Sequence, residues 1–108
     1  MNDPVFQRVT LIGAGAIGGW LGVHLAQAGC AVSAIARGDT LAALQRGGLR
    51  LRSGDREQHA GVQAVPDGHT LGPQDLVIVA VKAPALASVV PLVAPLLGPH
   101  TVVLTAMN

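Results

Sequence analysis

Apolar and polar positions along this chain alternate between two kinds of segment, short apolar runs and longer stretches with an apolar residue every three or four positions. Residues 8–12 and 31–36 are apolar and rich in β-branched side chains, which is typical of strands. Residues 17–28 have helical spacing, and Gly29 ends this helix. Its expected face holds Ile17, Trp20 or Leu21, His24, Leu25 and Ala28. The pattern predicts a βαβ unit of roughly thirty residues.

The same alternation continues through the middle of the sequence. Asp39 or Thr40 can cap a short helix that the glycines at 47–48 stop. Residues 49–52 alternate with a period of two and predict a half-exposed strand. Residues 57–65 have a weaker pattern of the same kind and predict one further edge strand.

The last part of the chain contains the clearest buried strand, residues 76–81, followed by a helix over residues 84–97. We expect this helix to be kinked at Pro91 and Pro95, because proline has no amide hydrogen to donate. Residues 101–106 form the last predicted strand. Strands and helices that alternate in this way favour an α/β fold with a parallel sheet between two layers of helices.

Composition fits one folded domain over residues 1–108, because half of the residues are hydrophobic and a sizeable core can form. Seven Lys and Arg against six Asp and Glu leave a formal net charge of +1, too little to attract nucleic acid. Cys30 is the only cysteine, which excludes an intrachain disulfide and fits a reducing cytoplasm. His59, His69 and His100 lack the paired spacing of a metal site, so we expect no metal.

Two long stretches without charge raise the alternative of a signal peptide or a membrane helix. Residues 9–36 and 83–108 carry no Asp, Glu, Lys or Arg, but the second stretch is interrupted by four prolines. Strands of a buried parallel sheet are apolar on both faces and explain both stretches. We therefore expect a cytoplasmic protein that does not associate with membranes.

A glycine pattern lies between the first strand and the first helix, where residues 13–18 read G-x-G-x-x-G. Gly13 permits a tight turn, Gly15 lets the backbone approach a pyrophosphate, and Gly18 lets helix and strand pack closely. Gly22 extends this packed face by one turn. Amides at the start of a helix favour an anion, so this turn predicts a pyrophosphate site. Together with the alternating strands and helices, it predicts a Rossmann-type, doubly wound, three-layer αβα fold. The expected dinucleotide contacts are Gly13, Ala14, Gly15, Ala16, Ile17 and Gly18; alternatively, the glycines only allow close packing.

The end of the second strand indicates which dinucleotide is bound. An NAD site usually presents Asp or Glu about twenty residues after the glycine turn, to bond the ribose 2′-hydroxyl. Arg37 stands there in this chain. A guanidinium can form paired hydrogen bonds to a 2′-phosphate, whereas a carboxylate would repel it. We therefore favour NADP(H) over NAD(H), and we interpret Asp39 as a helix cap rather than a ribose ligand.

Five of the seven cationic residues fall within twenty positions and suggest a nucleic-acid surface as an alternative. They are Arg37, Arg46, Arg50, Arg52 and Arg56. Aromatic stacking partners are absent from this segment and acidic residues interrupt it, so a solvated face is favoured.

Residues just beyond the far strands are the next candidates, because ligands of open α/β sheets lie outside the carboxyl ends of the strands. Lys82 follows the buried strand directly, and Asn108 follows the last one. An ammonium and a carboxamide there could hold a polar substrate against a nicotinamide, with Val81 as a further cofactor contact. The alternative for Lys82 is a surface lysine.

These residues together resemble the ketopantoate reductases (2-dehydropantoate 2-reductases), over nearly the whole chain. The segments that carry the resemblance are 12–22 (IGAGAIGGWLG), Arg37, 47–51 (GGLRL), 79–83 (VAVKA) and 96–108 (LLGPHTVVLTAMN). The resemblance implies NADPH-dependent reduction of the ketone of 2-dehydropantoate, a small-molecule 2-oxo acid, to (R)-pantoate, a step of pantothenate biosynthesis.

The resemblance also implies roles for individual residues. It assigns the pyrophosphate to Gly13, Gly15 and Gly18, the 2′-phosphate to Arg37, and the nicotinamide and substrate to Lys82 and Asn108. Ala85 stands where family members often have glutamine. The family has a C-terminal helical domain with a catalytic lysine that these 108 residues do not contain. We therefore expect the chain alone to bind NADPH with little or no turnover, and we leave a homodimer open.

Two other functions remain open at this point. One is a related NADP-dependent reductase that acts on another 2-oxo acid or on a 3-hydroxy acid. The other is a dinucleotide-binding module without catalytic activity, such as a redox-sensing domain.

Overall fold

The elements of the computed structural model follow one another in the predicted alternation of strand and helix. The structure describes residues 6–13, 16–80 and 86–105. The elements are β1 Arg8–Ile12, α1 Ala16–Gln27, β2 Ala31–Ile35, α2 Gly38–Gly47, β3 Leu49–Ser53, β4 Arg56–Ala60, β5 Gln63–Val65, β6 Leu76–Val79, α3 Leu86–Val93, a 3₁₀ turn over Ala94–Leu96, and β7 Val102–Thr105.

Five of these strands form one parallel sheet in the order β5-β2-β1-β6-β7. The chain moves outward from β1 through β2 to β5, then returns across β1 to form β6 and β7 on the other side. A doubly wound sheet of this kind has a topological switch point beside its first strand. The predicted Rossmann-type fold with a mostly parallel sheet is confirmed.

The two faces of the sheet carry separate hydrophobic clusters. Val23 of α1 and Leu49 of β3 pack with Leu11 on one face. Val89 of α3 and Leu96 of the 3₁₀ turn pack with Ile12 on the other face. Because both faces are covered, the central strands are mostly apolar, and all four residues of β6 are buried. No helix in residues 16–80 or 86–105 has the length and hydrophobicity to cross a membrane.

Two of the predicted strands differ from those observed. The single edge strand expected over residues 57–65 is wrong, because this segment contains two strands in different sheets. β4 pairs antiparallel with β3 in a separate hairpin, while β5 pairs parallel with β2. The hairpin has a polar outer face, on which Arg52 Nη2 lies 3.7 Å from Glu57 Oε2. Strand β7 also differs from a buried strand, since its Val102, Val103 and Leu104 are 44–47% exposed at the edge of the sheet.

The buried face of α1 agrees only in part with the predicted one. Leu21 and Leu25 of the predicted face pack against the core. Gly22 and Val23 are buried, whereas Trp20, His24 and Ala28 are exposed. A Cβ at Gly22 would lie 2.6 Å from Leu49 Cδ1 and 2.7 Å from Leu11 Cδ1. The helix therefore approaches the sheet and the hairpin through a glycine, which confirms close packing at Gly22.

The ends of the other helices follow from backbone chemistry. Neither Asp39 nor Thr40 caps α2, because the residue at the N-cap position is Arg37, without a capping side-chain hydrogen bond. Asp39 lies instead in the first turn, where a negative charge favours the helix dipole. Helix α3 contains Pro91 and continues as a 3₁₀ turn that contains Pro95, rather than as one kinked helix.

Asp75 joins the starts of β1 and β6. Its Oδ2 accepts hydrogen bonds from the backbone amides of Gln7 and Arg8, each at 2.9 Å. These hydrogen bonds lower the pKa of the Asp75 carboxyl, because they stabilise its charged form.

This carboxyl makes stability depend on pH. A carboxyl with a lowered folded-state pKa contributes stability above its unfolded pKa, about 3.9, and that contribution is lost as pH falls through the folded value. We expect urea unfolding between pH 7 and pH 3 to show a loss of stability below about pH 4 that is smaller in Asp75→Asn. Identical pH profiles for the two proteins would contradict this role.

Candidate cofactor site

The predicted glycine turn begins directly after β1. Gly13 has a φ of +83°, a left-handed conformation that residues with a Cβ rarely adopt. Its amide donates a hydrogen bond of 3.3 Å to the carbonyl oxygen of Ile35 in β2. Helix α1 starts at Ala16, so the backbone of Ala16, Ile17 and Gly18 forms its first turn. Ala14 and Gly15 lie outside the described residues.

Arg37 follows the carboxyl end of β2 by two residues. Its backbone is extended, with φ −136° and ψ 160°, and its carbonyl oxygen accepts a hydrogen bond from Leu41 in α2. The side chain is exposed and forms neither a hydrogen bond nor an ion pair with any other described residue. The guanidinium therefore keeps its full hydrogen-bonding capacity for a ligand.

A cavity of about 230 Å³ lies at the carboxyl ends of β1 and β2, bounded on one side by α3. Its lining residues are Ile12, Gly13, Ile35, Ala36, Arg37, Ser88, Val89 and Leu92. The volume is below the roughly 300–1,000 Å³ of a typical complete ligand site, so the cavity suits one portion of a dinucleotide. Among the described lining residues, Arg37 and Ser88 carry the polar side chains.

Six of these lining residues were missed by the sequence reasoning, which considered only positions at the glycine turn and just beyond strand ends. They are Ile12, Ile35, Ala36, Ser88, Val89 and Leu92. The helical spacing of 88, 89 and 92 does carry a signal, because these positions share one face of a helix. Using that signal requires knowing that α3 crosses the sheet beside the switch point.

The remaining predicted site residues, Val81, Lys82 and Asn108, lie outside the described residues. The neighbouring backbone is described up to Ala80, whose amide donates a hydrogen bond of 2.9 Å to the carbonyl oxygen of Ile12. The chain therefore leaves β6 beside the end of β1, two residues before Lys82. Thr105 ends β7, three residues before Asn108.

A larger open groove of about 770 Å³ runs along α2, on a different part of the surface. Its lining residues are Asp39, Thr40, Ala43, Leu44, Arg46, Gly47, Gly48 and Arg50. Asp39 belongs to this groove and does not line the cavity that contains Arg37. The described lining of the groove includes none of the residues at the carboxyl ends of β1 and β2, where sheets of this type bind ligands, so we regard the smaller cavity as the candidate site.

The clustered arginines and the possible metal ligands lie as follows. All five clustered arginines are exposed, as a solvated face requires. Within residues 6–13, 16–80 and 86–105, no three His, Cys, Asp or Glu side chains come together as a metal site would require.

Comparison with known proteins identifies the family. The family model described as Ketopantoate reductase PanE/ApbA matches residues 9–108. The chain belongs to the ketopantoate reductase family. This match confirms the resemblance to the ketopantoate reductases that the glycine turn, Arg37 and the V-K-A segment indicated.

Individual relatives agree with membership of the ketopantoate reductase family. The 2-dehydropantoate 2-reductase of Mesorhizobium japonicum is 46% identical over 102 residues, which are 94% of this chain and 31% of that protein. The crystal structure of a putative ketopantoate reductase from Ralstonia solanacearum MolK2 is 54% identical, with a TM-score of 0.89, and covers 94% of this chain and 32% of that one.

A third similar protein is D-mandelate dehydrogenase, in a structure with NADH and anilino(oxo)acetate. It is 26% identical, with a TM-score of 0.82, and the match covers 94% of this chain and 34% of that one. The chain thus spans about a third of the length of the relatives it matches.

Proposed function

We propose that these 108 residues form the NADPH-binding domain of a 2-dehydropantoate 2-reductase. The observation that carries the proposal is the cavity at the switch point, where the Gly13 turn and Arg37 line one space. Membership of the ketopantoate reductase family supports the reaction. A nicotinamide cofactor supplies a hydride when bound; the carbonyl carbon of 2-dehydropantoate would accept that hydride and its oxygen a proton, to give the hydroxyl of (R)-pantoate.

The charge at the cavity favours NADPH over NADH. Arg37 is the charged side chain among the lining residues, and Asp39 lies in the groove along α2 instead. A guanidinium can donate two parallel hydrogen bonds to a phosphate, and hydrogen bonds between charged groups are about twice as strong as neutral ones. The 2′-phosphate of NADPH would therefore gain free energy at this site that the 2′-hydroxyl of NADH would not.

The pyrophosphate is assigned to the turn between β1 and α1. A positive φ at Gly13 supports this assignment, because the chain reverses direction there without a side chain at the turn. We assign the pyrophosphate contacts to Gly13, Ala14, Gly15, Ala16, Ile17 and Gly18. The first turn of α1 would direct unpaired amides and the positive end of the helix dipole toward the anion.

The nicotinamide and the substrate are assigned to Val81, Lys82 and Asn108. The proximity of Ala80 to Ile12 supports this assignment, because Ala80 lies beside the end of β1, from which the glycine turn begins. An ammonium at Lys82 and a carboxamide at Asn108 would orient a polar 2-oxo acid by hydrogen bonds. Because relatives are about three times as long, we propose that full turnover needs residues outside this chain.

One observation favours a second candidate function, the reduction of another 2-oxo acid. The similar D-mandelate dehydrogenase structure contains NADH and anilino(oxo)acetate, so one fold of this kind accepts a different acid and the other cofactor. Comparing turnover of 2-dehydropantoate with turnover of aromatic and aliphatic 2-oxo acids by the full-length protein separates the two candidates.

Cofactor preference tests the proposal on this chain directly. We expect calorimetric titration to give NADPH an affinity at least about tenfold above that of NADH, since one charged hydrogen bond contributes roughly 1.5–3 kcal/mol. Equal affinity for the two would defeat the NADP assignment. Absence of binding by both would defeat the dinucleotide site itself.

A further inference from the structure

We propose that Ser88 is a second contact for the cofactor's 2′-phosphate and determines NADPH preference together with Arg37, an inference that rests on the proposed function. Ser88 lies in α3, whereas Arg37 lies between β2 and α2, so two different elements bring polar groups to one cavity. The sequence reasoning assigned no role to Ser88.

The lining of the cavity supports this proposal. Apart from Arg37 and Ser88, the side chains of the described lining residues are aliphatic or absent. Arg37 and Ser88 are both exposed, so a phosphate between them would lie at the open side of the cavity rather than among the aliphatic side chains. Each of the two side chains can donate a hydrogen bond to it in place of water, and a bond to a charged group contributes more than a neutral one. A guanidinium fork would bind two of the three terminal oxygens, and the Ser88 hydroxyl could donate to the third.

The register of α3 turns Ser88 toward this cavity. Ser88 and Leu92 are four residues apart, so they lie one above the other on the helix, and both line the cavity with Val89. Val90, on another face, is 65% exposed and does not line the cavity. The helix thus directs one face to the carboxyl ends of the strands, and Ser88 is its polar residue.

A hydroxyl can take this role while it keeps a contact within the chain. Ser88 already takes part in an interaction with the protein. A serine hydroxyl has one donor hydrogen that rotates and two acceptor lone pairs, so it can reorient toward an arriving phosphate. Arg37 would supply the charge, and Ser88 would fix the orientation of the phosphate.

The test compares NADPH and NADH binding to wild type, Ser88→Ala and Ser88→Thr by calorimetric titration. We expect Ser88→Ala to weaken the affinity for NADPH by roughly 5- to 20-fold. The affinity for NADH should change less than about twofold, since only NADPH carries the phosphate. Ser88→Thr keeps the hydroxyl and should restore most of the affinity. Val90→Ala, on the exposed face of the same helix, is the matched control and should bind both cofactors as wild type does.

A double-mutant cycle with Arg37→Ala supplies a second readout. If both side chains hold one phosphate, the effect of Ser88→Ala on NADPH should shrink clearly when Arg37 is already absent. Two results would overturn the inference. One is an equal loss of affinity for NADPH and for NADH in Ser88→Ala, and the other is an effect of Ser88→Ala on NADPH affinity that stays the same in the Arg37→Ala background.

The outcomes also separate this inference from the proposed function. If wild type prefers NADPH through Arg37 and the NADPH affinity of Ser88→Ala equals that of wild type, only the role of Ser88 is defeated. Wild type without preference for NADPH defeats the proposed function, and the role of Ser88 falls with it. Circular dichroism spectra and thermal midpoints of each variant show whether a lost affinity reflects a lost fold.

Discussion

Gly48→Ala is expected to lower the free energy of unfolding by about 2–5 kcal/mol, the combined scale of backbone strain and overpacking. Gly48 ends α2 with a φ of +69°, and its amide donates a hydrogen bond of 2.8 Å to the carbonyl oxygen of Leu44. A Cβ at this position would overlap the carbonyl oxygen of Ala60 in β4. That oxygen belongs to backbone and cannot rotate away, so the hairpin would have to move. Urea denaturation monitored by far-ultraviolet circular dichroism measures the effect.

The hairpin turn offers a matched control for this substitution. Gly54 has a φ of +62°, close to that of Gly48, but a Cβ there would meet no atom within 4 Å. Gly54→Ala should therefore cost only the conformational strain, about 1 kcal/mol. If the two variants were equally stable, the contact between Gly48 and Ala60 would have no energetic importance.

Arg37→Ala is expected to weaken NADPH binding by about 1.5–3 kcal/mol, the range for hydrogen bonds to charged groups, which corresponds to roughly 10- to 150-fold. Binding of NADH should change little, because NADH has no phosphate at the 2′ position. The effect follows from the exposed guanidinium, which has no ion-pair partner among the described residues and lines the candidate site. Parallel titrations of the two cofactors measure it.

Arg46→Ala controls for the change in net charge. Arg46 lies in the last turn of α2, nine residues after Arg37, and belongs to the groove outside the candidate site. Its removal should leave the NADPH affinity within about twofold at physiological salt, where distant charges are screened. An equal loss in both variants would mean that long-range electrostatics, rather than a phosphate contact at Arg37, explains the preference.

Much of the central sheet could be predicted from the sequence because its strands are apolar on both faces. Strand β1 has the predicted bounds, and the first helix and second strand differ from prediction by one residue at their ends. Apolar runs of this kind bounded by glycine or proline fit few other structures.

The hairpin and the buried face of α1 could not be predicted in the same way. Gly22 contributes nothing to a hydrophobic stripe, yet it is the position at which the helix approaches Leu11 and Leu49 most closely. The pattern offered Trp20 or Leu21 for the same position, and Leu21 is the one that packs against the core. Trp20 and His24 instead pack on each other at the surface, with ring centroids 4.7 Å apart. Likewise, residues 57–65 carry no local signal for a change of sheet, because pairing with β3 or β2 is decided by tertiary contacts.

For the candidate site, local sequence identified the residues adjacent to strand ends but not those contributed by a helix. The position of Arg37 follows from its distance to the glycine turn, which the βαβ unit keeps nearly constant. Ser88 belongs to α3, and its approach to the same cavity depends on the path of the chain between β6 and β7. That path is a property of the whole sheet rather than of the residues around Ser88.

The central place of β1 also has a consequence for the time course of folding. This strand is made early, but one of its two neighbours is β6, so that Val9 pairs with Leu76. A chain emerging from the ribosome must therefore hold β1 with only one neighbouring strand until β6 has been synthesised. Contacts so distant in sequence slow folding, because closing long loops costs entropy before any pairing energy is gained. We expect refolding in milliseconds to seconds, the range of topologies dominated by non-local contacts.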